Sequence, residues 1–284
     1  MNSMMKLILQ GPGADTDTVN RIGAIVNAQR ITALGPQVFR CDHIESTKAL
    51  RAEVAATCHT ARMDGTFINA DRQLSDFRLL VMDMDSTLIT IECIDEIADM
   101  QGLKAEVAAI TEAAMRGELD FRESLARRVA LLKGLDASAL HRVFEERLRL
   151  SQGAHGLLQG MKAAGLRSVL VSGGFTYFTD RLREMLALDM TRANLLEVVN
   201  GKLTGHVLGE IIDAEAKRQT VIDECQRLGV PPTAAIVIGD GANDLAMMSV
   251  AGLSVAFRAK PVVQAKAHVT LNYAGLDGVL NLFR

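Results

Sequence analysis

No run of about 18 apolar residues occurs anywhere in this 284-residue chain, so a membrane-spanning helix is not expected. The opening Met1-Asn2-Ser3-Met4-Met5-Lys6-Leu7-Ile8-Leu9 run breaks at Gly11-Pro12-Gly13, too short for the hydrophobic segment of a secretion signal. Cysteine is sparse as well. Cys41, Cys58, Cys93 and Cys225 lie far apart with no CxxC pair, which argues against a disulfide framework or a zinc site and for reduced thiols in a cytoplasmic protein. The 6 histidines show no HxH or HExxH spacing. A basic excess is missing too: 31 Lys and Arg stand against 34 Asp and Glu, a net charge of −3, which disfavours a general nucleic-acid binder. The local basic runs Arg127 to Lys133 and Arg142 to Arg149 alternate with Leu and Val at helical spacing and read as solvated helix faces. Repeats and low-complexity segments are absent.

What is present is a chain 49% hydrophobic, long enough for a sizeable core and two domains. Residues 1–75 read as a small α/β unit or a β-rich sandwich. Lys6 to Gln10 is a strand, Asp17 the expected N-cap of a helix from Val19 to Ala28, Ile31 to Leu34 and Gln37 to Arg40 are strands, and Thr47 to Ala61 is a helix. Gly11-Pro12-Gly13 lacks the third glycine of a dinucleotide fingerprint, and proline removes a backbone donor. The polar stretch Asn69 to Gln73 marks the domain boundary.

Residues 76–284 follow a different rhythm. Leu79-Leu80-Val81-Met82 is apolar on both faces, as strands of parallel sheets are, and ends abruptly in Asp83-Met84-Asp85-Ser86-Thr87. From 91 to 153 four helical segments each stop at glycine: Ile91 to Gln101, Lys104 to Arg116, Phe121 to Lys133 and Ala137 to Leu150. They predict a four-helix cap inserted after the first strand, over a core of residues 76–90 and 154–284. The βα alternation then resumes. Arg167 to Val171 runs into Ser172-Gly173-Gly174; Asn200-Gly201 signals a hairpin between Leu195 to Val199 and Lys202 to Val207. Lys217 opens the helix Ala214 to Leu228, which Pro231-Pro232 is expected to end; Ala234 to Ile238 is a strand ending in Gly239-Asp240-Gly241-Ala242-Asn243-Asp244, and Leu253 to Phe257 reads as the last strand. The fold expected is α/β, a Rossmann-like parallel sheet with an inserted helical cap and a small N-terminal α/β domain.

Strand ends are neighbours in a parallel sheet, so Asp83, Asp85, Ser172, Asp240 and Asp244 should converge where such sheets bind ligands. Carboxylates so placed repel one another and call for a cation. Asp83, ionised at pH 7, can attack phosphorus and form an aspartyl-phosphate. Mg²⁺ held by Asp83, Asp240 and a backbone carbonyl, together with Lys217, would offset the charge of anion attacking anion. Asp85 can protonate the departing alkoxide and then deprotonate the attacking water. The Ser172 hydroxyl and Gly173 amide can bind phosphoryl oxygens.

Asp83-Met84-Asp85-Ser86-Thr87, Ser172-Gly173-Gly174, Lys217 and Gly239-Asp240-Gly241-Ala242-Asn243-Asp244 resemble, in order and spacing, the four motifs of the haloacid dehalogenase superfamily. Within it the chain is similar to members that hydrolyse O-phospho-L-serine, and the N-terminal unit resembles the ACT-like amino-acid-binding module that some of them carry. The resemblance implies Asp83 as nucleophile, Asp85 as proton donor, Mg²⁺ on Asp83, the Asp85 carbonyl and Asp240, and Asp244 as a supporting partner. It also implies that Glu92 reads the substrate ammonium, that Phe121 and Arg128 contact the substrate and its carboxylate, and that Asn243 helps hold phosphate. The implied activity is Mg²⁺-dependent release of L-serine through an aspartyl-phosphate, the last step of serine biosynthesis. A small-molecule substrate is then the expected partner, with a homodimer and an amino-acid effector as further partners of that reading. Taken alone, Arg128 reads as an exposed helix arginine like Arg127, and Glu92 as a first-turn acid favoured by the helix dipole. Two rivals remain open: a phosphotransferase or phosphatase for another small metabolite, with homoserine as one acceptor, and a regulatory protein phosphorylated on Asp83 as a signal. The second has no use for Asp85 or a four-helix lid.

Overall fold

The computed structural model describes residues 4–115 and 118–284. Arg116 and Gly117, the predicted end of the second cap helix, lie outside these residues. Met5–Gln10 (β1) is buried along nearly its whole length because strands flank it on both sides. After β1 come α1 (Thr16–Ile25), β2 (Arg30–Gly35), β3 (Val38–Asp42), α2 (Lys48–Ala61) and β4 (Asp64–Asn69), a βαββαβ unit with antiparallel sheet order β2-β3-β1-β4. The N-cap of α1 is Asp15, not Asp17: its carboxylate accepts from Thr18 N at 2.8 Å, which starts the helix three residues before Val19. Strand β4 has no counterpart in the sequence reading, which placed the boundary at 69–73. Gly65 and the polar residues around it mask a period of two, in which Asp64, Thr66 and Ile68 share the buried face.

One face of this sheet packs on α1 and α2 through Leu7, Leu9, Val19, Ile22, Val54 and Cys58. The other face meets the rest of the chain. Ile8 and Ile68 join the apolar cluster of Phe77, Leu276 and Leu282, while Gln10 Nε2 donates to the Gly278 carbonyl at 3.1 Å. The Asp64 carboxylate accepts from the backbone amides of Asn272, Tyr273 and Ala274 at 2.7–3.0 Å.

The second sheet starts at β5 (Leu79–Met82). The helices α3 (Cys93–Asp99), α4 (Lys104–Met115), α5 (Phe121–Ala130) and α6 (Ser138–Arg142) follow, and α6 runs on into a wider helical turn at Val143–Arg147, so the predicted fourth helix, Ala137 to Leu150, is helical from Ser138 to Arg147. Then come α7 (Ala154–Ala163), β6 (Arg167–Phe175), α8 (Thr176–Leu186), β7 (Met190–Val199), β8 (Lys202–Leu208), α9 (Ala214–Arg227), β9 (Ala235–Gly239), α10 (Leu245–Met248), β10 (Leu253–Phe257), α11 (Pro261–Gln264), β11 (Val269–Leu271) and α12 (Gly278–Asn281). Sheet order is β11-β10-β9-β5-β6-β7-β8, parallel throughout except for β7 with β8. Strand β10 is therefore not the last, since β11 extends the edge. Helix α9 ends through Gly229 at φ +67°, ahead of the prolines. Asn200 and Gly201, at φ +49° and +76°, form the predicted hairpin turn between β7 and β8.

Two sets of bonds tie the helical insertion to the sheet. At its neck, Thr90 N donates to the Arg149 carbonyl and Ser151 N to the Leu88 carbonyl, both at 2.9 Å. At its far side, the Gly134 and Leu203 amides bond across to β8 and the loop after α5 at 2.8 and 2.9 Å. The helices thereby stand over the carboxyl ends of β9, β5 and β6.

Candidate active site

Met82 pairs with Ile238 on one side and Leu170 on the other, so the residues after β5, β9 and β6 emerge side by side. Asp83, Ser172 and Asp240 come together for that reason. After Asp83 the chain enters a wide turn over Met84–Leu88 in which Ser86 adopts φ +55°, a conformation unfavourable for a residue with a β-carbon. This reversal brings Glu92, the N-cap of α3, back over the turn, where its Oε1 accepts from the Ser86 hydroxyl at 2.7 Å. Its side chain caps no backbone amide of α3, so the first-turn reading of Glu92 is replaced.

Asp83, Asp85, Glu92, Phe121, Arg128, Ser172, Gly173, Asp240 and Asn243 line one cavity of about 370 Å³ between sheet and helices, within the range of small-molecule sites. Lys217 and Asp244, both fully buried, stand behind its floor. All eleven site residues expected from the sequence are thus gathered in one place. Lys217 Nζ lies 2.8 Å from Asp83 Oδ1 and 2.8 Å from Asp244 Oδ1. Asp83 Oδ1 also accepts from Met84 N at 2.7 Å. Asp244 Oδ2 accepts from the Asp240 and Gly241 amides at 3.1 and 3.0 Å.

The charges are crowded. Asp83, Asp240 and Asp244 each offer a carboxylate oxygen within 4.8 Å of the others. Against three anions stands one ammonium, so a divalent cation fits the donor set in charge and in its oxygen chemistry. Burial, then the Asp244 charge, pushes the Asp83 carboxyl well above the usual carboxylate range, and Lys217 only partly opposes this. Asp240 rises to about 6 through burial and then Asp244, against the hydrogen bond from Thr87 at 2.9 Å. Burial alone would lower Lys217, but Asp244 and Asp83 outweigh it and raise its pKa, so the amine stays charged.

Asp85 differs in its neighbours. Burial, then the Glu92 charge, lifts it to about 7, while the Cys93 amide, 3.0 Å from Oδ1, works the other way. Gly174 leaves room for it: a β-carbon there would lie 2.7 Å from Asp85 Oδ2. Gly173 has a comparable constraint, since its β-carbon would lie 2.9 Å from Phe121 Cζ. In α5 the neighbouring arginines part company. Arg127 is exposed and pairs with Glu123 at 2.7 Å along the helix, whereas Arg128 turns into the cavity with Asp95, Glu92 and Asp85 nearby.

The sequence reading missed Asp95, Lys260 and Ser86 as lining residues and Thr87 as the partner of Asp240. Thr87 had a signal, a hydroxyl beside two strand-end acids. Lys260, far along the chain, had none.

A model of the haloacid dehalogenase-like hydrolases matches residues 77–252. The chain is 56% identical over 219 residues to a phosphoserine phosphatase of Polaromonas sp., covering 75% of this chain and 93% of that protein. It superposes with TM-score 0.83 and 36% identity on the unliganded crystal structure of a probable phosphoserine phosphatase from Vibrio cholerae, over 99% of this chain and 86% of that one. A substrate-bound phosphoserine phosphatase structure matches with TM-score 0.69 and 37% identity, over 73% of this chain and 99% of that one.

Proposed function

The chain belongs to the haloacid dehalogenase-like hydrolases, and from that premise we propose that it hydrolyses O-phospho-L-serine to L-serine and phosphate, the last step of serine biosynthesis. One observation carries the substrate assignment: Glu92 and Arg128 face the Asp83 and Asp85 pair across a single cavity. A zwitterionic amino acid needs an anion for its ammonium and a cation for its carboxylate, and a guanidinium grips a carboxylate in two places. Phe121 closes on Gly173 and keeps water from the reacting end.

In this reading Lys217 and Met84 N hold Asp83 Oδ1, and Oδ2 attacks phosphorus. The bond from phosphorus to the serine oxygen breaks, and the departing alkoxide takes the proton of Asp85. With a pKa near 7, Asp85 is present in both protonation states at neutral pH. It then accepts a proton from the water that attacks the aspartyl-phosphate, which restores Asp83 and releases phosphate. Ser172, the Gly173 amide and Asn243 bind the phosphoryl oxygens. Mg²⁺, held by Asp83, Asp240 and the Asp85 carbonyl, would supply charge neutralisation there, with Asp244 holding Lys217 and the Asp240 backbone in place.

The same reading divides the chain into an ACT-like domain at 1–75, on the support of its βαββαβ order, and a phosphatase domain at 76–284 whose residues 91–153 are the cap. An amino-acid effector at the first domain, a homodimer and a cytoplasmic location belong to it. The test is phosphate release from O-phospho-L-serine, O-phospho-L-threonine, phosphoethanolamine and p-nitrophenyl phosphate, with Mg²⁺ and with EDTA. A marked preference for phosphoserine that EDTA abolishes is the expected outcome. Metal-dependent activity without that preference would remove Glu92 and Arg128 from substrate recognition.

A further inference from the structure

We propose that Asn194, which does not line the cavity, is a positioning residue that holds the phosphate-binding end of β6 in register with the helix carrying Lys217. The inference rests on the phosphomonoesterase reading above. Parallel pairing of β6 with β7 runs regularly from Val169 opposite Met190 to Val171 opposite Arg192, then resumes at Phe175 opposite Asn194. Three residues of β6, Ser172, Gly173 and Gly174, thus span a stretch in which β7 has only Ala193. The bulge lifts them out of the ladder and toward the cavity, as bulges beside functional sites do.

A bulge also leaves backbone groups without ladder partners, and a buried one left unpaired is costly. Asn194 supplies the missing partner. Its Nδ2 donates to the Gly173 carbonyl at 2.8 Å, and its Oδ1 accepts from Ile212 N at 2.8 Å. Only one orientation of the side-chain amide serves both, and the residue has no exposed surface. Ile212 leads directly to Asp213, the N-cap of α9, whose Oδ1 accepts from Ala216 N at 3.0 Å and whose carbonyl accepts from Lys217 N at 2.9 Å. One amide therefore links the Gly173 loop to the helix that aims Lys217 at Asp83. Phosphate is held from both sides, by groups on β6 and by the charge of Lys217, and Asn194 fixes the distance between them.

Two variants test this. Asn194→Ala removes both bonds, and Asn194→Asp keeps the acceptor for Ile212 N but turns a carboxylate oxygen on the Gly173 carbonyl. For each, kcat and KM with O-phospho-L-serine are measured along with the competitive inhibition constants of inorganic phosphate and of L-serine. A misplaced cradle should lower kcat about 10- to 100-fold and raise the phosphate constant about tenfold, the size of one lost good contact. The L-serine constant should stay within about twofold, because the cap residues that read serine are untouched. A purely structural role would reduce the folded fraction and leave both constants alone. Unchanged phosphate inhibition in a folded variant, or both constants rising together, overturns the proposal. If thermal melting finds Asn194→Ala unfolded, the isosteric Asn194→Asp decides alone. A wild-type protein that neither hydrolyses phosphoserine nor is inhibited by phosphate overturns the phosphomonoesterase reading itself, an outcome read before any variant is made.

Discussion

Asp83 and Asp64 are both buried carboxylates with raised pKa, but their surroundings are opposite in kind. Asp64 sits at the seam between the N-terminal sheet and the segment after β11, where burial raises it and three backbone amides oppose that shift. Three amide donors hold its carboxylate, so it stitches the N-terminal sheet to that segment. Asp83 has Lys217 and one amide as donors, but Asp244 and Asp240 crowd it with like charge. Such crowding is costly unless a cation relieves it, which marks chemistry more than stability. Burial alone therefore does not separate a structural acid from a reactive one; the balance of donors and anions around it does.

The comparison breaks most visibly at Asp83 itself. Asp83→Asn should lower kcat by about 10⁴-fold or more, since a neutral amide cannot attack phosphorus, while the melting temperature in EDTA should not fall. Retained phosphate release would remove Asp83 as nucleophile. At the seam the expected pattern reverses. Asp64→Ala strands three backbone amides, that of Ala274 buried and those of Asn272 and Tyr273 half-buried, and should cost about 3 kcal/mol in urea unfolding, with kcat per folded molecule unchanged; a loss of activity at full folding would couple the seam to the site.

A finer version sets two adjacent arginines against each other. Arg128→Ala should reduce kcat/KM for phosphoserine about 100-fold, yet leave p-nitrophenyl phosphate, which has no carboxylate, within about twofold. Arg127→Ala, whose exposed ion pair with Glu123 is worth at most about 0.5 kcal/mol, should change neither. Equal losses on both substrates would indicate a distorted helical insertion.

The smallest effect is one of pH. Burial, then the Arg72 charge, lowers His268 below its usual 6.5, and its Nδ1 accepts from Ser254 N at 3.0 Å. Below that pH the unfolded chain binds a proton that the folded protein resists, so stability should be lost as pH falls from about 6.5 toward the folded value. His268→Asn, which keeps an acceptor for Ser254 N, should flatten that decline in melting temperature between pH 7 and 5. An unchanged slope would assign the acid sensitivity to other groups.

Much of the molecule can be read locally. Apolar runs that end in Asp83, Ser172 and Asp240 identify buried parallel strands, and Asn200-Gly201 announces its hairpin, because those signals come from near neighbours. Strand β4 escaped notice because its period of two rests on Asp64 and Thr66, polar residues whose burial depends on a partner surface some 200 residues away in sequence, at Asn272 to Ala274. The same holds for β11, which has only three residues and pairs solely with β10 among the described strands.

The primary structure determined which residues could do the chemistry and which strand ends would carry them, since carboxylates, a lysine and glycines at fixed spacing follow from local pattern. It also determined that an insertion of helices would interrupt the sheet after β5. Only the tertiary structure decided that Arg128 and not Arg127 faces the cavity, that Lys260 and Asp95 join its lining, and that Asn194 spans the bulge beside Gly173. Those outcomes depend on which elements pack against each other across long stretches of chain, and a local pattern carries no information about a partner it does not contain.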